Sequence, residues 1–374
     1  MNGWGKNSSA VLLVVGSRCK WWALVVLITA FQLVSSTPPS IGICAAVRRE
    51  GLLLVEWLEY HSLIGVNNFY IYLAPRKLMS NQEADVTDGL LAPYLHPRPG
   101  CTDCPSVQIF RQERPRIGFH PQAAAFDTCL QDFAKENDWM FFIDIDEFIA
   151  FPRGHSLAPV LAKMPELPSF CIGRATIVPS APYLSPHVKR PDNSLLTQLL
   201  RRSIPEFDQG KLAIFTDRSL SRTNGCHFDR SINNRRKHQL RKSGDFLFPH
   251  NCYFDSSSSH SYNLDGSQNV EAHCSVAVSD SDPIVLYHFF TRTCYEWQHE
   301  LVQKRRSWVE GRGLSQLKTS VAKVDPDGCG AYVSSRNSSQ ALFLDRFQTT
   351  LRKRVSMHPL WGSSIQFFDP KKTK

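Results

Sequence analysis

Short apolar runs alternate with helically periodic segments from Ile41 onward, and this alternation constrains the fold of the 374-residue chain most strongly. The run IGICAAV at 41–47 predicts a buried strand. The following segment, LLLVEWLEYHSLIG, repeats apolar residues at helical spacing and ends at Gly65, where a helix cap is expected. NFYIYL at 68–73 predicts the next strand. A strand, a helix and a strand in this order predict a parallel pair with a right-handed crossover.

The alternation continues through the first half of the chain. After a predicted loop that contains Asn81 to Asp88, VQIFRQ at 107–112 predicts a strand, and Pro121 opens a helix that extends to about Lys135. The segment WMFFIDIDEFIAF then predicts a strand that ends in acidic residues. The predicted fold class is therefore α/β, a Rossmann-like, mostly parallel sheet with flanking helices in a single domain.

The second half is less regular. Residues 151 to about 283 are rich in Pro, Ser, Asn and basic residues, which favours loops and short strands, with strand candidates at 170–178 and 212–216. IVLYHFF at 284–290 predicts another strand, and a helix is expected from Tyr295 to about Val309. With 42% hydrophobic and 21% charged residues, the chain lies outside the composition range of disordered proteins. We expect a body over 41–310 and a C-terminal extension over 311–374.

The amino terminus predicts engagement with a membrane. An uncharged apolar run at 21–34 follows Lys6, Arg18 and Lys20, the basic flank expected on the cytosolic side. Two interpretations fit: a signal anchor over 21–36 with a cytosolic tail at 1–20 and a linker at 37–40, or a cleaved signal peptide. Both place the body in the secretory lumen, where ten of the eleven cysteines, all except Cys19, could form disulfides.

The strongest chemical signal is the acidic cluster Asp144-Ile145-Asp146-Glu147 at the end of a predicted apolar strand. Carboxylates two residues apart at a strand end can face the same crevice, and oxygen ligands suit Mg²⁺ or Mn²⁺. A cation held there could neutralise a diphosphate leaving group. An isolated motif of this kind is more often a solvated acidic turn, but the strand context favours a metal site.

Four segments together resemble the family 92 glycosyltransferases, enzymes of the GT-A fold. They are AVRRE at 46–50, VEWLEYHSLIGVNNFYIY at 55–72, DWMFFIDIDEF at 138–148 and LYHFFTRTCYEW at 286–297. The resemblance implies a metal-dependent, inverting transfer of a hexosyl group, typically galactosyl from UDP-galactose, to a glycan or glycoprotein acceptor. It also implies Mn²⁺ or Mg²⁺ as cofactor, a UDP-sugar as donor, and a single-pass type II protein of the Golgi membrane with a lumenal catalytic domain.

The resemblance also assigns roles to individual residues. The metal ligands are Asp144, Asp146 and His288, the donor-binding residues are Arg48, Glu50 and Asp144 with Arg49 beside them, and Asp146 and His288 are catalytic. The spacing of Arg292, Lys304 and Arg305 after His288 adds a catalytic cation at Arg292 and donor contacts at Lys304 and Arg305, which could screen pyrophosphate charge; exposed solvated cations are the alternative. Lys211 and His227 correspond to a lysine and a histidine in the middle segment of the family. The general base stays open among Glu206, Asp208, Asp192, Asp217 and Asp229.

Other readings remain open. Tyr72 is followed by Leu-Ala-Pro-Arg rather than the Asp-Asn turn common in the family, which allows a carbohydrate-binding pseudoenzyme of the same fold. The net charge of +9 and the run RRKHQLRK at 235–242 allow a lumenal polyanion binder, although the run lacks the interleaved aromatics of a nucleic-acid site, and we expect no nucleic-acid partner. Cys101 and Cys104 have the spacing of zinc ligands, but the sequence has no second paired cluster, which favours a disulfide or free thiols over zinc.

Overall fold

The computed structural model describes residues 38–47, 50–74, 81–95, 104–112, 121–151, 156–162, 164, 169–179, 195, 200–215, 226–228, 252–254, 282–289, 293–296 and 348–360. The chain divides into two compact units, Met1–Pro38 and Pro39–Lys374, and the elements below all belong to the second. The described part contains no helix long and apolar enough to cross a membrane. The predicted anchor at 21–36 lies outside the described residues.

Strands and helices alternate along the first half of this unit. The strands are β1 (Ile41–Val47), β2 (Asn68–Leu73), β3 (Ser106–Arg111), β4 (Trp139–Phe142), β5 (Glu147–Ala150), β6 (Ser169–Pro179), β7 (Leu200–Phe215), β8 (Cys226–Phe228), β9 (Cys252–Phe254) and β10 (Val285–His288). The helices are α1 (Leu53–Leu63), α2 (Asn81–Leu91), α3 (Pro121–Phe133), α4 (Leu157–Leu161), α5 (Cys294–Glu296) and α6 (Gln348–Ser356), with 3₁₀ turns at Ala92–Tyr94 and Ala134–Glu136.

Eight of the described strands form one sheet in the order β3-β2-β1-β4-β7-β6-β10-β5, and β8 pairs with β9. The pairs β3-β2, β2-β1, β1-β4 and β6-β10 are parallel, whereas β7 and β5 run antiparallel to their neighbours. The predicted α/β class with a mostly parallel sheet is confirmed. The order 3-2-1-4 at one end is the one expected of right-handed crossovers from a central first strand.

Alternate residues of the central strands fill two apolar cores on opposite sides of the sheet. Ile43 and Phe141 belong to the core that α1 covers, whereas Cys44 and Phe142 belong to the core that contains the buried residues of α3. A disulfide between Cys44 and Cys129 joins β1 to α3 in the second core. Leu351 and Val355 of α6 pack into the first core, although the boundary predicted at residue 310 stays a prediction.

Local chain signals explain where the first helix ends. Gly65 takes a φ of 105°, a conformation that side chains disfavour, directly after the cap of α1. The Val66 N–H donates to the His61 carbonyl at 3.0 Å, and the Gly65 N–H donates to the Ser62 carbonyl at 3.1 Å. This pair of bonds is the Schellman motif. The predicted glycine cap is therefore confirmed.

The loop predicted at 81–88 is wrong, because α2 occupies Asn81–Leu91. Ala84, Thr87, Leu90 and Leu91 are buried at helical spacing, but the polar residues between them concealed the stripe. The strand candidate at 212–216 is the end of the much longer β7, Leu200–Phe215. Cys104 lies in a disulfide, as one of the alternatives for the Cys101–Cys104 pair expects.

A buried amide near the amino ends of the strands yields a stability prediction. The Asn137 side chain accepts a hydrogen bond from Asn68 Nδ2 at 2.8 Å and donates to the Phe133 carbonyl and the Tyr70 hydroxyl, both at 2.9 Å. We expect Asn137→Ala to lower the free energy of unfolding by about 2–4 kcal/mol, because it removes three hydrogen bonds of a fully buried side chain and leaves a cavity. Urea unfolding measures the loss, with exposed Lys135→Ala as a control expected within about 0.5 kcal/mol of wild type. A loss for Asn137→Ala no larger than the control would contradict this role.

Candidate active site

The acidic cluster forms the turn between β4 and β5, at the carboxyl end of β4. The Asp144 N–H donates to Glu147 Oε2 at 2.8 Å, and the Glu147 N–H donates to the Asp144 carbonyl at 3.1 Å. These bonds close the turn and direct Asp144 and Asp146 to the sheet edge where ligands of doubly wound folds bind. The sequence placed the cluster at this edge, and the structure confirms that position.

Buried cations hold two of the three carboxylates. Glu147 is fully buried, and its Oε1 lies 3.2 Å from Arg174 NH1 and 3.3 Å from Lys211 Nζ. Lys211 Nζ also donates to Asp144 Oδ2 at 2.9 Å, and Gln122 Nε2 donates to Asp144 Oδ1. Burial raises the pKa of the Glu147 carboxyl, and the Lys211 and Arg174 charges oppose that shift. The cluster is thus an ion-paired network and not a solvated acidic turn.

His288 reaches the same turn from the other end of the sequence. β10 pairs antiparallel with β5 so that His288 lies opposite Glu147, and the Phe289 N–H donates to the Asp146 carbonyl at 2.8 Å. His288 Nε2 lies 3.9 Å from Asp146 Oδ1, which is longer than a hydrogen bond. The structure therefore brings Asp146 and His288 together, as the family resemblance implies.

Side chains of α1 fix the backbone of β5, which lies at one edge of the sheet among the described strands. Trp57 Nε1 donates to the Glu147 carbonyl at 2.9 Å, and the Tyr60 hydroxyl donates to the Ile149 carbonyl at 2.5 Å. The Ile149 N–H donates to His61 Nε2 at 3.3 Å. These three side chains take the place of a neighbouring strand. The segment EWLEYH is thereby linked physically to the DIDEF turn that it precedes in the sequence.

The residues present fit a divalent cation that is completed by a substrate. Two ligands bound at about 2.1 Å to one ion can lie at most about 4.2 Å apart, and the 3.9 Å between Asp146 Oδ1 and His288 Nε2 is within that limit. Within the described ranges, no three His, Cys, Asp or Glu side chains converge as a complete metal centre. Mg²⁺ commonly takes one or two carboxylates and fills its other positions with water and substrate phosphates. Asp146 and His288 would hold such an ion.

The other residues predicted for the site are only partly placed. Glu50 follows β1 at the same edge of the sheet, and Lys211 is in the cluster. The backbone places Glu206 and Asp208 on β7 and His227 on β8. The remaining predicted residues lie outside the described residues: Arg48, Arg49, Asp192, Asp217, Asp229, Arg292, Lys304 and Arg305. Sequence reasoning missed Arg174 and Gln122 entirely.

The start of helix α5, which follows β10 in the sequence, has a recognisable signal. The Glu296 N–H donates to Thr293 Oγ1 at 3.0 Å, and the Thr293 N–H donates to Glu296 Oε2 at 3.1 Å. This reciprocal pair is a capping box, for which the spacing Thr-x-x-Glu is the sequence signature. The predicted helix start near Tyr295 is confirmed at α5.

Comparisons with known proteins agree with this arrangement. No protein-family model matches the chain. The chain is 30% identical over 120 residues to a glycosyltransferase family 92 protein of Ricinus communis, which covers 32% of this chain and 19% of the relative. It is also 30% identical over 122 residues to a family 92 protein of Oryza sativa subsp. japonica, covering 33% of this chain and 18% of the relative.

Over about a third of its length, the chain is similar to family 92 glycosyltransferases. The predicted family resemblance is confirmed. A galactan β-1,4-galactosyltransferase of Arabidopsis thaliana is 36% identical over 64 residues, covering 17% of this chain and 12% of that protein. The chain spans less than a fifth of the length of these family 92 relatives and of the galactosyltransferase.

Proposed function

We propose that this protein is a metal-dependent, inverting glycosyltransferase that moves a hexosyl group from a UDP-sugar to a glycan acceptor. The observation that carries the proposal is the meeting of Asp146 and His288 at the carboxyl edge of a mostly parallel sheet. The similarity to family 92 glycosyltransferases supports the same conclusion from the sequence.

The residues of the acidic turn and those around it have separate roles in the proposed reaction. Asp146 and His288 would hold Mn²⁺ or Mg²⁺, which, when bound, neutralises the diphosphate and improves it as a leaving group. Lys211 and Arg174 keep the buried Glu147 paired, so that the backbone of the turn stays in place. Arg48, Glu50 and Lys304 are the proposed donor contacts, and Arg292 is the proposed catalytic cation. A carboxylate such as Glu206 or Asp208 would deprotonate the acceptor hydroxyl.

Galactose is the proposed sugar, and the secretory lumen is the proposed compartment. One relative is named a galactan β-1,4-galactosyltransferase, which supports a galactosyl donor. The disulfide between Cys44 and Cys129 supports an oxidising compartment, because such bonds are rare in the cytosol. We propose a Golgi membrane protein anchored through residues 21–36, with the body in the lumen.

A donor panel tests the proposed function. The purified full-length chain is incubated with individual UDP- and GDP-sugars, with Mn²⁺ or with EDTA, and nucleotide release is measured with and without oligosaccharide acceptors. We expect turnover of one UDP-hexose, UDP-galactose in our proposal, that EDTA abolishes and Mn²⁺ restores. Failure of every donor to bind or turn over, with and without acceptors, would favour the carbohydrate-binding pseudoenzyme. Tight, steeply salt-dependent binding to an acidic polymer without metal would favour the polyanion binder.

A further inference from the structure

Lys211 occupies an unusual position for a lysine. β7 carries it beneath the acidic turn, where its Nζ lies 2.9 Å from Asp144 Oδ2 and 3.3 Å from Glu147 Oε1. The side chain is 1% exposed, and lysines are almost never buried this deeply unless they are paired. An ammonium group enclosed in this way acts on its two carboxylate partners and does not reach a ligand in solvent.

The two aspartates of the turn are held very differently. Asp144 uses both carboxylate oxygens within the protein, one toward Gln122 Nε2 and the other toward Lys211 Nζ. The Asp146 side chain is 22% exposed, close to the 27% of Asp144, and its ion-pair contact is with His288, 3.9 Å away. The two carboxylates therefore differ in their partners and not in their exposure: Lys211 and Gln122 bind Asp144, whereas Asp146 lies beside His288.

We propose that Lys211 is a positioning residue that withholds Asp144 from a divalent cation, so that the donor diphosphate has to complete the cation site. This inference rests on the proposed function and identifies a control on its cofactor. Because the free protein offers few ligands, the cation binds weakly alone and tightly with the nucleotide. Coupled binding of this kind lets the cation enter with the donor and leave with the nucleotide product.

Removal of the lysine charge has a defined electrostatic sign. In Lys211→Met, a positive charge disappears from the neighbourhood of the cation, and Asp144 loses its ion-pair partner. Both changes favour cation binding, so the metal affinity should rise, whereas a purely structural lysine would leave it unchanged or lower it. We expect donor kcat to fall at the same time, since a cation held by an additional carboxylate stabilises the departing diphosphate less.

Calorimetric titration of the full-length chain with Mn²⁺ alone tests the inference. We expect the Mn²⁺ dissociation constant of Lys211→Met to be about tenfold lower than that of wild type. The double variant Lys211→Met with Asp144→Asn should return to within about threefold of wild type, because the released carboxylate is gone. Lys135→Met, which removes an exposed lysine, is the matched control and should not change the constant. UDP should tighten Mn²⁺ binding more in wild type than in Lys211→Met.

The outcomes separate this inference from the proposed function. An unchanged or raised Mn²⁺ dissociation constant in folded Lys211→Met overturns the inference even if donor turnover is present. If the Mn²⁺ dissociation constants of the variants follow the expected order but no donor is turned over, the inference stands and the proposed function is overturned. If Lys211→Met does not fold, Gln122→Leu removes the hydrogen bond to the other oxygen of Asp144 and should tighten Mn²⁺ binding in the same direction by a smaller factor. No Mn²⁺ binding by any variant, with or without UDP, overturns the inference.

Discussion

Asp146→Asn is expected to reduce metal-dependent donor turnover by about 100-fold or more while leaving the fold intact. Asparagine keeps the shape of the side chain but loses the charge that binds a divalent cation. The structural cost is small, because the Asp146 carboxylate is partly exposed and lies 3.9 Å from His288, beyond hydrogen-bond range. The Asp146 carbonyl, which accepts from the Phe289 N–H, is unaffected by the substitution. Nucleotide release at saturating Mn²⁺ measures the loss.

A matched control distinguishes the loss of a carboxylate at the site from the loss of a carboxylate elsewhere on the protein. Asp132 is an exposed aspartate on α3, outside the acidic turn, and Asp132→Asn should retain turnover within about twofold of wild type. Both variants should unfold within about 2 °C of wild type. If Asp146→Asn kept more than about a tenth of the wild-type rate, Asp146 would not be the ligand on which the proposed chemistry depends.

Local sequence patterns were sufficient for β1, α1, β2 and the acidic turn, although they missed α2. β1, α1 and β2 follow from continuous apolar runs and a helical stripe that ends at Gly65, where the positive φ requires glycine. The acidic turn follows from carboxylates placed directly after an apolar strand. Such signals are short-range, because the periodicity and the cap both lie within about ten consecutive residues.

The middle of the chain resisted the same reasoning for a physical reason. β7 contains Pro205 and Gly210, which ordinarily argue against a strand interior. Lys211 was therefore noticed only through the family resemblance, and Arg174 was not noticed at all. Their partners are distant in sequence: Arg174 bonds Glu147 across 27 residues, and Lys211 bonds Asp144 across 67. Pairing of this kind depends on strand order, which single-residue patterns do not encode.

The aromatic residues of EWLEYH make hydrogen bonds that their sequence spacing did not predict. Their spacing predicted a helix with an apolar face, and a core role would satisfy that pattern. The structure adds hydrogen bonds: Trp57 and Tyr60 donate to carbonyls of β5, and His61 accepts from the Ile149 N–H. An edge strand next to the acidic turn needs these partners, which explains why the helix and the turn occur together.

His61 should make the stability of the protein fall with acidification below pH 6.5. The ring is fully buried among Trp57, Tyr60 and Phe148. Because its Nε2 accepts from the Ile149 N–H, the proton of the neutral ring lies on Nδ1, which donates to the Trp57 carbonyl at 2.8 Å. Burial lowers the pKa of His61 from 6.5 to about 3. The folded protein therefore keeps this ring neutral where the unfolded chain protonates it.

The sign of the effect follows from proton linkage. Between pH 6.5 and about 3, the unfolded state binds one more proton at His61 than the folded state does. The free energy of unfolding should then decrease by up to about 1.4 kcal/mol for each pH unit of acidification, and the contribution should be complete above pH 6.5. Glu147 acts in the opposite direction, since its raised pKa favours the folded state as pH falls.

A comparison with His61→Gln isolates this contribution. Glutamine carries a donor and an acceptor but does not titrate, and all other groups, Glu147 included, are common to both proteins. Urea unfolding at a series of pH values from 7 to 4 should give His61→Gln a lower stability at neutral pH, because the ring contacts with Trp57 and Phe148 are lost. Its stability should then decline less steeply than that of wild type, by up to about 1.4 kcal/mol per pH unit. If the free energy of unfolding declined equally with pH in the two proteins, His61 would be protonated as readily in the folded state as in the unfolded state. The buried hydrogen bonds to Trp57 and Ile149 argue against that outcome.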